Sequence, residues 1–429
     1  MSAEFYGISL WFVVAWPLLL AIPTLRSHLP WPRYLAIIPA ALLLLLPGEA
    51  TQAFPWLLFG IEFAVDGEIR WILAMVVMIW ITAAMVIKSS WRAPVHDRAT
   101  TFFLLTLAGN LGAVLTTDLV GFFSFSTLMG YSFYGLLIEG GDAAVRRAGR
   151  LYLGFLIIAD LALFEALLLA ASTTEDLRFE FVRHAMAGAA STQLYLWTVL
   201  AGFFLKAGVW PLHLWLSALF KSEKLPSALL LGGVPIAMGL LGTARWLPVG
   251  GGHAFYMIGT GIQILGVVAM LYAALMIFTH RSVKLLPALV AVAATGVYVA
   301  ALGTGLAHPT TWLQYGYLTY PYIASLGIVM ATLSVAVSNL QYTDQQPSDA
   351  LQRIDSFKLR AGRWIDVIQR WLKNKLLGFQ SIWQVSWLKA MKQYQRVMAL
   401  QRPTGLLTSW SFSTTLFVLL GLALAWLAS

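Results

Sequence analysis

Apolar runs of about 20 residues recur along almost the whole of this 429-residue chain, and that recurrence leaves few folds open. A run of that length spans the hydrocarbon core of a bilayer as a helix, because in lipid each backbone N–H and C=O must find its partner within the segment. With 59% hydrophobic and 11% charged residues, the chain lies outside the range of soluble domains of this size. The expected fold is an all-α polytopic membrane protein. Twelve spans are predicted, at 7–23, 33–47, 70–88, 99–117, 119–138, 149–171, 194–216, 226–246, 254–279, 285–306, 315–338 and 406–428, the second of them short.

Loop charge supplies an orientation. The odd-numbered connections carry Arg26 and Arg33; Lys88, Arg92 and Arg98; Arg146, Arg147 and Arg150; Lys221 and Lys224; Arg281 and Lys284. The second connection instead carries Glu49, Glu62, Asp66 and Glu68 with Arg70. The positive-inside rule then places both termini away from the cytoplasm, in what we expect to be a bacterial cytoplasmic (inner) membrane. The first span has no basic run before it and reads as retained rather than cleaved. Gly48 to Glu68, acidic and punctuated by Gly and Pro, is expected to form a small extramembrane hairpin. Without cysteine, neither a disulfide framework nor a thiolate metal site is available.

Residues 341–405 differ in kind. They hold eleven Lys and Arg against four Asp, so seven of the chain's nine net positive charges fall here. Apolar residues recur at helical spacing and include Trp364, Trp371, Trp383 and Trp387. This is the pattern of a long amphipathic helix lying on the membrane surface, and it accounts for the basic charge without nucleic acid. Two occupants fit its apolar stripe: anionic lipid over 350–402, or a partner subunit across which the helix lies as a strap and docks through those tryptophans.

The run 201–216, AGFFLKAGVWPLHLWL, carries the chemistry. Lys206 is costly at bilayer depth, and Pro211, read as the helix break, removes a backbone hydrogen bond two residues before His213. Such backbone survives in a membrane only inside protein or beside a water-filled cavity. The pair therefore marks a site that handles charge; alternatively, Lys206 snorkels to the headgroups.

The spacing Lys206-x4-Pro211-x-His213-x-Trp215-Leu216 resembles the broken seventh helix of the antiporter-like membrane subunits found in respiratory complex I, membrane-bound hydrogenases, multisubunit cation/proton antiporters and inorganic-carbon uptake complexes. Pro226-Ser227-Ala228-Leu229, Ala244-Arg245, Asp160, Lys284 with Gly296, and Asp66-Gly67 resemble further family positions, over roughly residues 60–305. The resemblance implies a five-helix unit that conducts protons past a buried lysine, within a larger complex that is in some cases a proton-translocating oxidoreductase. It divides the chain into N-terminal spans with the hairpin (1–98), a first five-helix unit (99–246), a partial second unit (247–340), the lateral helix (341–405) and a C-terminal anchor (406–429).

Several family features are missing. Thr127 stands where the family has a glutamate thought to tune the lysine. Leu229 to Gly233 is apolar where a histidine or lysine is expected, and Ser282 replaces an aspartate. No Lys or Arg occurs between Lys284 and Arg353, and no second broken helix is found. Ser217-Ala218-Leu219 replaces the Pro-Asp-Ala of complex I subunits, which leans toward the inorganic-carbon branch.

The remaining candidates for proton transfer are Lys206, Asp160, His213 and Glu165. Asp160 and Glu165 are five residues apart and project about 140° from one another, so only one can face Lys206; the resemblance implies Asp160, whose position matches the family, as the partner. Asp118 is expected to cap the helix that follows it. No phosphate loop, metal cluster, nucleophile–base motif or cofactor site is found, and no catalytic site of the chain's own is expected. Two functions fit: proton conduction centred on Lys206 with partner membrane subunits, or a non-conducting scaffold in which Lys206 and Asp160 form a static pair.

Overall fold

The computed structural model describes residues 3–342 apart from 30, 47, 58–59, 91–95, 140–142, 221–232, 251–253 and 280–284. The lateral helix with its four tryptophans, the twelfth span, the Pro226-Ser227-Ala228-Leu229 motif, Ser282 and Lys284 lie outside the described residues.

The chain is an all-α polytopic membrane protein with one β-hairpin. Its long helices are α1 (Ala3–Leu20), α5 (Gly67–Ser90), α6 (His96–Leu115), α7 (Leu119–Ile138), α8 (Ala143–Thr173), α10 (Thr192–Ala207), α12 (Gly233–Trp246), α13 (Tyr256–Thr279), α14 (Leu286–Ala307) and α16 (Thr319–Tyr342). Among the described residues, seven helices are long and apolar enough to cross a membrane. The second expected span is two short pieces, α3 (Pro32–Leu35) and α4 (Ile38–Leu45), following α2 (Pro23–Arg26). The seventh is cut in two, with α11 (Leu214–Phe220) beyond the cut. Two short helices add to the expected set: α9 (Phe179–Ala187) in the loop after α8, and α15 (Pro309–Tyr315) before α16.

Hydrophobic residues all round a helix imply burial on every side. α12 meets that description: all fourteen of its residues are buried. It lies against α10 closely enough that a Cβ on Gly239 would come within 2.8 Å of the Ala207 backbone nitrogen, one residue from Lys206. At Gly202, one turn before Lys206, α10 meets α8; a Cβ there would sit 2.5 Å from Leu163 Cγ and 3.0 Å from the Ala159 carbonyl oxygen. Gly109 of α6 meets the backbone of Phe125 and Met129 on α7 in the same way. Glycines thus bring α6, α7, α8, α10 and α12 to backbone contact around one level of the bundle, as small residues do at helix interfaces in membranes.

The hairpin forms where Gly48–Glu68 suggested it. β1 (Ala50–Phe54) pairs antiparallel with β2 (Ile61–Val65), with Ala50 opposite Val65 and Phe54 opposite Ile61. β2 is stitched to the α6–α7 turn by the Thr117 amide donating to the Glu62 carbonyl at 3.0 Å, and that turn is joined to the segment before α9 by Leu119 N–H to Leu177 O and Phe179 N–H to Thr117 O. Asp118 caps α7: its carboxylate accepts from the Gly121 amide at 2.7 Å and from the Thr116 hydroxyl at 2.9 Å. Burial pushes its carboxyl above the usual range, while these donors and the Glu62 amide pull it back. Asp66 caps α5, accepting from the Ile69 amide at 2.7 Å.

Candidate functional site: a buried ion pair at a helix break

α10 ends at Ala207, and Gly208 adopts the left-handed conformation (φ 63°) that closes helices and that side-chain-bearing residues avoid. The Val209 amide then returns to the Phe204 carbonyl at 3.0 Å. Helix resumes at Leu214. The break therefore begins at Gly208. Pro211, assigned that role from sequence, lies within the linker, exposed, after a cis Trp210–Pro211 bond. A glycine directly after the lysine-bearing turn was the signal available for this.

Placed in the last turn of α10, Lys206 lies at the end where the helix presents unpaired carbonyls and partial negative charge, which favours a cation. It is buried and does not snorkel: its side chain is 5% exposed. Its Nζ is 2.7 Å from Asp160 Oδ1 on α8, a contact of opposite charges rather than a well-directed hydrogen bond, since neither Asp160 oxygen has an aligned donor. The ammonium donates instead to Ser126 Oγ on α7 at 3.1 Å. The expected pairing with Asp160 is thus present. Glu165, half-buried one turn further along α8, makes no ion pair or hydrogen bond among the described residues, as its angular offset requires.

On α7 the residue that meets Lys206 is one place away from the position of the family's glutamate. Thr127, aligned with the family's glutamate, makes no hydrogen bond to Lys206; its hydroxyl is buried with no hydrogen-bond partner among the described residues. Ser126 is the residue that reaches it. One residue turns a helix by 100°, so a shift of one moves the contact from one neighbour to the next.

His213 is buried in the linker, but its ring lies against Tyr272 of α13, with centroids 5.3 Å apart, and its Nδ1 has no hydrogen-bond partner among the described residues. Among the described residues no bond joins it to the Lys206–Asp160 pair. Trp215, on α11, stacks edgewise on Tyr152 at 5.0 Å and points its own unpartnered indole nitrogen back at Gly208. Thr127, Asp160, His213 and Trp215 each carry a buried side-chain atom with no hydrogen-bond partner among the described residues, so polar groups able to bind water concentrate about the break. No three His, Asp or Glu side chains among the described residues gather to hold a metal ion.

A buried cation and a buried anion thus face each other from neighbouring helices, beside the point where α10 is interrupted. The family model described as "NADH:quinone oxidoreductase/Mrp antiporter, TM" matches residues 116–355, more than half of the chain and all of this site. The chain belongs to that family. Its similarities spread across several of the family's branches. It is 28% identical over 246 residues to NAD(P)H-quinone oxidoreductase chain 4 of Acaryochloris marina, covering 55% of this chain and 45% of that protein. It is 26% identical over 264 residues to a probable K(+)/H(+) antiporter subunit of Rhizobium meliloti, covering 58% of this chain and 47% of that one. The chain thus spans about half the length of these relatives. Solved structures share the fold: the Mrp complex from Dietzia sp. at a TM-score of 0.62 and 18% identity, covering 79% of this chain and 64% of that one, and respiratory complex I from Thermus thermophilus at 0.61 and 20%, covering 78% and 71%.

Proposed function

We propose that this antiporter-like chain is a membrane subunit of a larger proton- or cation-coupled complex and carries protons through a half-channel centred on Lys206, with neighbouring subunits completing the path. The observation that carries this reading is the Lys206–Asp160 contact at 2.7 Å beside the break in α10. The pair is anchored on two helices and touched by a hydroxyl from a third, so a proton gained or lost there changes the force between α8 and α10. Free polar atoms on Thr127, His213 and Trp215 offer hydration sites through which a proton could reach it. His213 serves in this reading as a relay residue on the α13 side, and Glu165 as a later station along α8. The five-part division of the chain, the strap made by 350–402 on anionic lipid or a partner subunit, the bacterial inner membrane and the termini facing away from the cytoplasm belong to the same proposal.

The scaffold reading keeps one observation in its favour: a closely approached buried pair can also be static. Replacing Lys206 with Ala separates the two. In the complex purified through a tag on this chain and reconstituted into liposomes, K206A is expected to lower proton-coupled activity by about two orders of magnitude, the scale of a lost acid–base group, with all subunits retained. Full activity in K206A would rule out conduction here. Deletion of 350–402 is expected to release partner subunits on purification; recovery of the whole complex would remove the strap.

A further inference from the structure

α13 reaches the break between α10 and α11 through Tyr272. Of the seven long apolar helices among the described residues, α13 is the least buried, and its outward-facing Met257, Ile264 and Leu271 are exposed. It packs on α14 backbone to backbone. A Cβ on Gly259 would come within 2.5 Å of the Ala307 nitrogen, and Gly266 meets the Ala300 nitrogen in the same way. Small residues allow that approach between helices in a membrane. Tyr272 lies six residues beyond Gly266 and so projects about 120° from the α14 seam, on the flank of α13. There its ring packs on two residues of the linker. The Trp210 and Tyr272 ring centroids are 5.8 Å apart, and His213 meets the same ring edge to face at 5.3 Å.

His213 needs a neighbour of this kind. Regular helix stops at Ala207 and resumes at Leu214, so no helical turn of its own fixes the residue. The interaction it has within the linker, with the Pro211 carbonyl, moves with the linker and does not fix the ring against the bundle. Its Nδ1 has no hydrogen-bond partner among the described residues, so packing sets where that nitrogen points. We infer that Tyr272 is a positioning residue for His213: its ring, carried on α13, holds the imidazole beside the break with one nitrogen left open to exchange a proton. The inference rests on the conduction reading above, in which His213 is a relay residue. It adds a dependence that reading lacks, because a displacement of α13 along α14 reaches the break through this ring.

The test follows proton uptake with an entrapped pH dye in the same reconstituted complex, carrying Tyr272→Leu, Tyr272→Phe, His213→Ala, or Tyr272→Leu together with His213→Ala. Tyr272→Leu removes the ring and keeps an apolar side chain suited to a membrane helix; Tyr272→Met takes its place should the leucine variant not assemble. With all subunits retained, uptake is expected to fall about tenfold in Tyr272→Leu, within the roughly hundredfold that a misplacement of about 1 Å can cost. Tyr272→Phe puts the ring back and is expected to restore uptake. His213→Ala is expected to lose about a hundredfold. Adding Tyr272→Leu to it should cost nothing further, because a residue that acts through another has no separate effect once that other is gone. A ring that only packs the bundle would lower uptake by the same factor in both backgrounds. That result, full uptake in Tyr272→Leu, or Tyr272→Phe as slow as Tyr272→Leu would each overturn the inference. Full uptake in His213→Ala, with uptake lost in Lys206→Ala, would overturn the roles of His213 and Tyr272 and leave conduction standing. Full uptake in Lys206→Ala would overturn the conduction reading itself.

Discussion

Asp160→Ala, made alone, is expected to destabilise the chain by about 3–5 kcal/mol, because it leaves the Lys206 ammonium buried without its counter-charge. Among the described residues Ser126 is the neutral acceptor that remains bonded to it, and a hydroxyl returns little of what a carboxylate supplies. The combined variant Lys206→Met with Asp160→Leu should recover most of that loss. Buried ion pairs replaced as a unit by apolar residues of similar size are often neutral or stabilising, since two desolvation costs vanish together. Thermal unfolding in detergent, followed by tryptophan fluorescence, compares these variants with the unmodified chain, and adding the single variants Lys206→Met and Asp160→Leu closes the double-mutant cycle that isolates the coupling. A single Asp160→Ala as stable as the unmodified chain would mean that the 2.7 Å contact holds nothing together. A double variant that is as stable as the unmodified chain but transports no protons would place the value of the pair in charge handling rather than in folding. That outcome would bear directly on the choice between conduction and scaffold.

Much of this was legible because a bilayer allows so few answers. The long apolar runs had to be helices, and Gly48–Glu68, too polar and too punctuated for a span, folds as β1 and β2. For the Lys206–Asp160 pairing, angles showed only that one of two carboxylates about 140° apart on α8 could face the lysine; the family resemblance picked Asp160, and it is Asp160 that faces it. Asp118 caps α7 because a short carboxylate two residues beyond Thr116 can gather the first free amides of a helix. What escaped depended on register or on long-range contact. Ser126 and Thr127 are indistinguishable from hydropathy, yet 100° of rotation decides which touches Lys206. Proline is a louder breaker than glycine, so Pro211 draws attention from Gly208, where the chain actually turns. α9 has too few residues to stand out from a polar loop, and it forms because Phe179, Val182 and Met186 are buried.

In the sequence Arg245 is no more than a family landmark, and its structural weight comes from residues 129 or more positions away. Each helix ends with carbonyls that have no intrahelical donor, and α6 ends inside the protein, where water cannot substitute. Arg245, 4% exposed near the end of α12, supplies the donors: Nη1 to Ala113 O at 2.9 Å and Thr116 O at 3.2 Å, and Nη2 to Val114 O at 2.7 Å. Phe122 and Phe179 place their rings 5.8 and 5.3 Å from the guanidinium carbon, adding cation–π contact from α7 and α9. One fork thus ties α12 to the α6–α7 turn on which the hairpin is stitched. Arg245→Met is expected to cost about 3–5 kcal/mol: three buried carbonyls lose their donors at about 1–3 kcal/mol each, partly offset because a buried charge is no longer desolvated. Arg245→Lys should recover only part of this, because an ammonium keeps the charge but lacks the planar fork that spans three acceptors. Unfolding in detergent measures the order, and limited proteolysis of the 48–66 hairpin reports whether that end loosens first. An Arg245→Met chain that unfolds at the unmodified temperature, with its hairpin equally protected, would show that the carbonyls of α6 find other donors and that the fork is dispensable.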